Sequence, residues 1–288
     1  MGIHSEQWGY CGRMEKTAHR GFDPDLADWL LSLLPPSSRR MSVLGISGLQ
    51  GSGKSTLAAQ VVDAAIRQGR RAATLSLDDV YLTAAQRHRL ADTIHPLLAT
   101  RGPAGTHDLP LLHRVIDDLA DGRSTALPRF DKLTDDRLPS SCWPVVEGPL
   151  DLLVLEGWML GARPQPASAL GLPVNRLEIR EDAQGIWRQW CNRQLADRYP
   201  AIWQRLDRLV FLQPPDWDVV LRWRSEQEAG LALRDGRKGM DRDALARFVA
   251  HFERTSRQML HDLPAIADAV VRLDDRRGIL SRHAGPGR

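Results

Sequence analysis

The chain has 288 residues, 42% hydrophobic and 26% charged, and its 39 basic side chains exceed its 36 acidic ones to give a formal charge of +3. That is ample for one large α/β domain with a full core, the composition is that of an ordinary soluble protein, and so small a positive excess gives little support to a nucleic-acid-binding role. There is no apolar run of about 18 residues, no basic-then-apolar leader, and Cys11, Cys142 and Cys191 are odd in number and far apart, so no membrane span, secretion, disulfide framework or zinc site is expected, and a cytoplasmic setting is.

Residues 1–22 are polar and aperiodic and read as a poorly ordered or loosely docked extension. Asp23 or Asp25 can cap a short helix carrying Leu26, Trp29, Leu30, Leu33 and Leu34, which Pro35-Pro36-Ser37-Ser38 would end. The chain therefore divides into an N-terminal extension over 1–40 and a single larger domain over 41–288.

The stretch Gly48-Leu49-Gln50-Gly51-Ser52-Gly53-Lys54-Ser55-Thr56 fits G-x-x-x-x-G-K-[ST]. The apolar run 43–47 before it predicts a buried strand, and 57–66 after it predicts a helix. Gly48, Gly51 and Gly53 can let backbone N–H groups close on a phosphate, and the helix N-terminus adds donors and partial positive charge. Lys54 should reach the β- and γ-phosphates, and the Ser55 hydroxyl should ligate Mg²⁺. The loop specifies a nucleoside triphosphate and leaves the acceptor of the phosphate open.

A second strand over 72–77 ends at Asp78-Asp79-Val80-Tyr81. Ligands of open parallel sheets bind beyond the carboxyl ends of the strands, so paired carboxylates there suit chemistry. One of them can equally cap the helix that begins near Thr83. The loop Arg101 to Asp108 gathers Gly, Pro, a cation, His107 and a carboxylate, a make-up that favours substrate contact over a plain turn. Leu111, Leu112, Val115, Ile116 and Leu119 follow at helical spacing. Residues 124–141, with Arg129, Lys132 and Arg137, read either as a solvated hairpin or as a cationic arm over the site.

Leu150 to Gly157 is a third, nearly continuous apolar strand, as burial on both faces requires, and it ends in Glu156. An acidic residue at such a strand end helps hold Mg²⁺ in P-loop proteins. Trp187, Trp190, Cys191 and Leu195 suggest an amphipathic helix, 207–212 a fourth strand, and 217–232 a helix bearing Arg222 and Arg224, followed by Arg237 and Lys238 in a turn. A helix bearing Arg222 and Arg224 can simply face solvent. One long helix over 241–263, a last strand over 269–273 and a frayed tail from Gly278 complete the pattern. Strands alternating with helices predict a three-layer α/β sandwich with a mainly parallel sheet, in the manner of P-loop NTPases.

Taken together, the loop over 48–56, Ser76 to Tyr81, Arg101-Gly102-Pro103-Ala104-Gly105-Thr106-His107-Asp108, Pro128 to Lys132 and Glu156-Gly157-Trp158-Met159-Leu160-Gly161 resemble the plant- and fungal-type D-glycerate 3-kinases and their bacterial relatives. These belong to the wider phosphoribulokinase, uridine kinase and pantothenate kinase group. The resemblance covers about residues 40–275, and its one noted departure is Val80, where the wider group commonly has Phe. It implies ATP and Mg²⁺ as cofactors and D-glycerate as a small-molecule substrate phosphorylated at its 3-hydroxyl. By position, Asp78 matches the general base, with Lys54 catalytic beside it. Gly48, Gly51, Ser52, Gly53, Lys54, Ser55 and Thr56, with Arg222 and Arg224 as lid, would bind the nucleotide. Ser55 and Glu156 would hold the metal. Asp79, Tyr81, Arg101, His107, Asp108, Arg129 and Lys132 would contact the acceptor. A kinase of the same group acting on a nucleoside, pantothenate or a sugar phosphate, or a non-catalytic nucleotide-binding regulator, are the alternatives.

Overall fold

A computed structural model describes residues 21–35, 40–235 and 240–285, with backbone only over 230–235. The expected loose extension over 1–20 with Cys11, the Pro36-Ser37-Ser38 stop, and the turn cations Arg237 and Lys238 lie outside the described residues.

Helix α1, Pro24–Ser32, starts where Asp23 accepts from the Asp25 N–H. It is followed by strand β1 (Ser42–Gly48), helix α2 (Lys54–Arg67) and strand β2 (Ala72–Ser76). Helix α3 (Ala84–Thr93) opens with a full capping box between Thr83 and Gln86, which satisfies two of the free N–H groups at its start. Helix α4 is Leu109–Ala120, capped by the Asp108 carboxylate. The segment that follows holds four two-residue strands, β3 (Thr125–Ala126), β4 (Phe130–Asp131), β5 (Asp136–Arg137) and β6 (Val145–Val146), of which β4 and β5 pair as a hairpin. Then come β7 (Leu152–Gly157), α5 (Arg176–Glu181), α6 (Ile186–Asp197), α7 (Pro200–Trp203), β8 (Arg208–Gln213), α8 (Val219–Asp235), α9 (Arg242–Ala250), α10 (Glu253–Ile266), β9 (Ala269–Leu273) and β10 (Ile279–Ala284).

The main sheet runs β10-β9-β8-β1-β7-β2, parallel throughout except for the antiparallel edge strand β10. Alternate residues of one strand face opposite layers, and both layers are apolar. Leu44, Ile46, Leu152, Val154, Val210 and Leu212 pack with α1, α2 and Trp223. Val43, Leu153, Leu155, Leu209 and Phe211 pack with α4, α7 and α10 on the other face. This is the three-layer, P-loop-type α/β sandwich the strand pattern predicts.

Three expectations are corrected. The long helix over 241–263 is two helices, broken at His251 and Phe252, because the Phe252 ring turns inward under Gly102 and against Trp158. Residues 279–284 are not frayed: they form β10 along β9, with Arg282 stacked over Trp29. Phe22 is not loosely docked either, since its N–H and C=O are both bonded to the Gln60 side-chain amide on α2, at 2.9 and 2.7 Å.

Candidate active site

The sheet register brings the chemistry together. Glu156 lies level with Ile46 on β1 and Ser76 on β2, so its carboxylate emerges between the phosphate loop and the acidic end of β2. Although 7% exposed, it is not isolated, because the Ser55 hydroxyl donates to Glu156 Oε1 at 3.0 Å. Gly53 caps α2 in the left-handed region at φ 92°, and Gly51 also has a positive φ, 80°, with the Trp223 backbone and Cβ packed where a side chain would stand. No other residue type meets both demands cheaply. Lys54 Nζ donates to Leu49 O at 3.1 Å, and burial pulls its pKa down while Glu156 and Asp78 push it back up.

Beyond β2 the chain makes one 3₁₀ turn, Leu77–Val80, started by the Ser76 hydroxyl accepting from the Asp78 N–H at 3.2 Å. The turn sends the two carboxylates apart. Asp78 accepts from Tyr81 Oη at 2.7 Å and from Lys132 Nζ at 2.9 Å. Burial works to raise its pKa, but the Lys132 charge and these two hydrogen bonds prevail and hold it well below the ordinary carboxylate range. Asp79 points to the hairpin, accepting from Arg129 Nη1 and the Phe130 N–H, both at 3.1 Å. Burial dominates there and lifts its pKa to about 6, against the opposing pull of Arg129.

A cavity of about 90 Å³ opens over these groups. Its floor is Gln50, Gly51, Lys54 and Ser55 from the loop, with Asp78, Tyr81 and Glu156 from the strand ends. Its cations are Arg101, Lys132 and Arg224, and its apolar wall is Trp158, Phe248 and Phe252. Arg101 and Arg224 both lie over the Phe248 ring, 5.7 and 5.8 Å from its centroid. Arg101 is also paired with Asp135, which holds the buried Arg87 through its second oxygen.

Of the residues expected to contact an acceptor, Tyr81, Arg101 and Lys132 line this cavity, and four do not. Asp79 and Arg129 are spent on each other. Asp108 caps α4 and pairs with Arg137 at 2.9 Å. His107 is 3% exposed, its Nδ1 is 2.7 Å from Tyr199 Oη, and burial lowers its pKa to about 4, so it is a neutral packing element beneath Tyr81. The two lid candidates also part company. Arg224 enters the cavity, whereas Arg222 faces outward and donates to Asp275 O at 2.6 Å. In the loop, Gly48 and Ser52 are buried, and a Cβ at Gly48 would meet the Ser52 hydroxyl. Gly53 and Thr56 line a second, larger cavity of about 560 Å³ on the loop's flank, with Phe22, Arg276 and Arg277. Gln50, Asp135 and Phe248 were missed. The carboxylate between two arginines of distant sequence position carries no local signal, while Gln50 stands inside the motif at a position the motif leaves free.

An uncharacterised kinase of Schizosaccharomyces pombe, mug58, is 35% identical over 239 residues, spanning 79% of this chain and 85% of that one. The chloroplastic D-glycerate 3-kinase of Arabidopsis thaliana is 34% identical over 221 residues, or 73% of this chain and 46% of the plant protein's length. The solved D-glycerate 3-kinase of Cryptococcus neoformans superposes with a TM-score of 0.72 at 27% identity, over 90% of this chain and 98% of its own. The chain belongs to the D-glycerate 3-kinase-like family of P-loop kinases. A family model for the methylmalonyl-CoA mutase-associated GTPase MeaB matches residues 16–83 alone, the stretch containing α1, β1, the phosphate loop, α2 and β2. As a member of this kinase family the protein is an ATP-dependent phosphotransferase with an alcohol as acceptor. None of its described helices is long and apolar enough to cross a membrane.

Proposed function

We propose that this kinase transfers the γ-phosphoryl group of ATP to the 3-hydroxyl of D-glycerate. The observation that carries the reading is the cavity itself: about 90 Å³, with two carboxylates, Asp78 and Glu156, among Lys54, Arg101, Lys132 and Arg224. So small a space with so many cations suits a compact anion, and it is well below the usual size of a site for a drug-sized ligand. A nucleoside acceptor would need a free aromatic face, and Phe248 is already covered by two guanidinium groups.

Phosphoryl transfer asks the protein for alignment, charge neutralisation and a proton acceptor. Asp78 is the proton acceptor, ionised at neutral pH and steered by Tyr81 and Lys132. Lys54 and Arg224 neutralise charge on the transferred group, and Arg101 pairs with the acceptor carboxylate. The larger flanking cavity, beside Gly53 and Thr56, takes the nucleoside end of ATP.

The donor set also fits Mg²⁺. Ser55 and Glu156 offer adjacent hard oxygens, and no described cluster of three or more His, Cys, Asp or Glu could hold a metal alone. That is the pattern for an ion which keeps several waters and relies on nucleotide phosphates. When bound there, Mg²⁺ would supply charge neutralisation at the phosphates, with Ser55 and Glu156 as its protein ligands.

The test is ADP release with ATP, Mg²⁺ and a panel of D-glycerate, L-glycerate, uridine, pantothenate and ribulose 5-phosphate. Turnover on D-glycerate that collapses in Asp78→Asn, with ATP binding intact, supports substrate and base together. Turnover on another acceptor removes the substrate, and ATP binding without any acceptor-dependent turnover favours a nucleotide-binding regulator.

A further inference from the structure

The side-chain amide of Gln50 is buried at both ends, and neither its nitrogen nor its oxygen has a hydrogen-bond partner among the described residues. A buried donor and a buried acceptor left unmade are both costly, and most such groups in folded proteins find partners. Gln50 lines the same cavity as Asp78, Tyr81 and Arg101, one residue before the strapped Gly51, whose carbonyl accepts from Arg277 Nε at 2.7 Å. A methionine or leucine would fill this place with no polar group to satisfy. The amide is therefore matched to a ligand.

The chemistry of its two ends limits that ligand. A phosphoryl or carboxylate oxygen can only accept, so either can satisfy the N–H end and neither can satisfy the carbonyl. Arg224 Nε is also unpartnered in this wall, and an anion answers it as well. The carbonyl needs a donor, and in a small hydroxy acid the donors are hydroxyls. The reacting hydroxyl gives its proton to Asp78, which leaves a second one.

We infer that Gln50 is a specificity-determining residue. Its carbonyl accepts from a non-reacting hydroxyl of the acceptor, and its N–H donates to the transferring phosphoryl group. This rests on the glycerate reading and sharpens it: the acceptor class is hydroxy acids with a second hydroxyl beside the one phosphorylated.

The experiment compares kcat/KM for D-glycerate and for 3-hydroxypropionate, which lacks the second hydroxyl, in wild type, Gln50→Met and Gln50→Glu. Thermal melting and the KM for ATP are read alongside. Wild type should prefer glycerate by about a hundredfold or more, as a site built to bond a hydroxyl does. Gln50→Met loses both ends of the amide, so kcat should fall for both acceptors and glycerate should lose far more, bringing the two within about threefold of each other, with the KM for ATP little changed. Gln50→Glu keeps an acceptor oxygen and loses the donor, so it should keep the glycerate preference while kcat falls for both. An equal loss on both acceptors in Gln50→Met, or no loss, overturns the inference and leaves the glycerate reading standing. If wild type turns over neither acid while phosphorylating another alcohol, the glycerate reading falls and this inference with it.

Discussion

Lys132 Nζ lies 2.9 Å from Asp78 Oδ2, so the hairpin that follows β4 grips the carboxylate at the end of β2. The Asp78 charge is also the leading reason that the Lys132 pKa is raised. The pair therefore stays doubly ionised through the neutral range. The proposed base, held below the ordinary carboxylate range, remains deprotonated at mild acidity, so kcat/KM for the acceptor should show no acid limb near pH 4 or above from this group. Lys132→Met removes the largest lowering influence on Asp78, and the acid limb should move upward into the measurable range. The pH–rate profiles of the two proteins check this, and coincident acid limbs would show that Lys132 does not tune the base. Asp78→Asn should lower kcat on the order of 10²–10⁴-fold, the usual worth of general base catalysis.

Asp79 behaves in the opposite sense to its neighbour. Its folded pKa of about 6 exceeds the ordinary 3.8, so the folded state holds a proton that the unfolded state has already lost between those values. Stability linked to this group is fully present below the unfolded value and falls as the pH rises toward 6, by roughly 2–3 kcal/mol in total at 1.36 kcal/mol per pKa unit. Asp78 contributes the reverse, stability that is present above 3.8 and lost at lower pH, and it is common to wild type and variant. The unfolding free energy of wild type relative to Asp79→Asn, measured in denaturant from pH 4 to pH 8, should decline to about pH 6 and then level off. A gap that is constant across the range would mean that burial does not dominate at Asp79.

Far from the chemistry, Arg254 and Glu178 form a two-bonded ion pair at 2.7 and 2.6 Å between α10 and α5, with Glu178 fully buried. Arg254 also donates to Ala169 O and Leu172 O, closing the long excursion between β7 and α6 onto the body of the protein. Removing one partner strands a buried charge. Glu178→Leu should therefore cost about 3–5 kcal/mol, while the double variant with Arg254→Met should recover a large share of it. Denaturant unfolding of the two single variants and the double variant measures this. Additive losses would mean that the backbone bonds, and not the charge pair, hold the segment.

The legibility of this chain follows the range of the interactions involved. Strands β1, β7 and β8 are short apolar runs buried on both faces, and the phosphate loop dictates its own neighbours, so both could be read locally. Lys54, Ser55, Asp78 and Glu156 could be placed because each stands at the carboxyl end of a strand or in the loop beside one. What failed depended on distant packing. Nothing in Ala250-His251-Phe252-Glu253 announces a break, which arises because Gly102, 150 residues earlier in the chain, leaves room for the Phe252 ring. Pro264, by contrast, looks like a stop and is carried inside α10. His107 and Asp108 were read as ligand contacts from their polarity, and the fold uses that polarity internally, on Tyr199 and on the first turn of α4.

Asp135 shows how such a distant contact can govern the site. Its backbone is in the left-handed region at φ 55°, which Asn and Asp tolerate better than other side chains, and this turns its carboxylate between Arg87 and Arg101. Arg87 is also held by Leu82 O at 2.6 Å and Asp135 O at 2.7 Å, so it stays in place whatever the side chain does. Arg101 lies over the Phe130 and Phe248 rings, but among the described residues the Asp135 carboxylate is the one anion paired with it, and it stands near the like charge of Arg87, whose pKa is lowered by burial and by Arg101. Asp135→Asn keeps the turn and removes the charge, leaving the two arginines to repel and Arg101 to leave the cavity wall. The KM for the proposed anionic acceptor should rise about tenfold, roughly 1.4 kcal/mol of lost binding, with the KM for ATP changed less than threefold. Steady-state kinetics with each substrate varied in turn separates the two. A matched rise in both constants would mean that Asp135 supports the hairpin as a whole and does not act through Arg101.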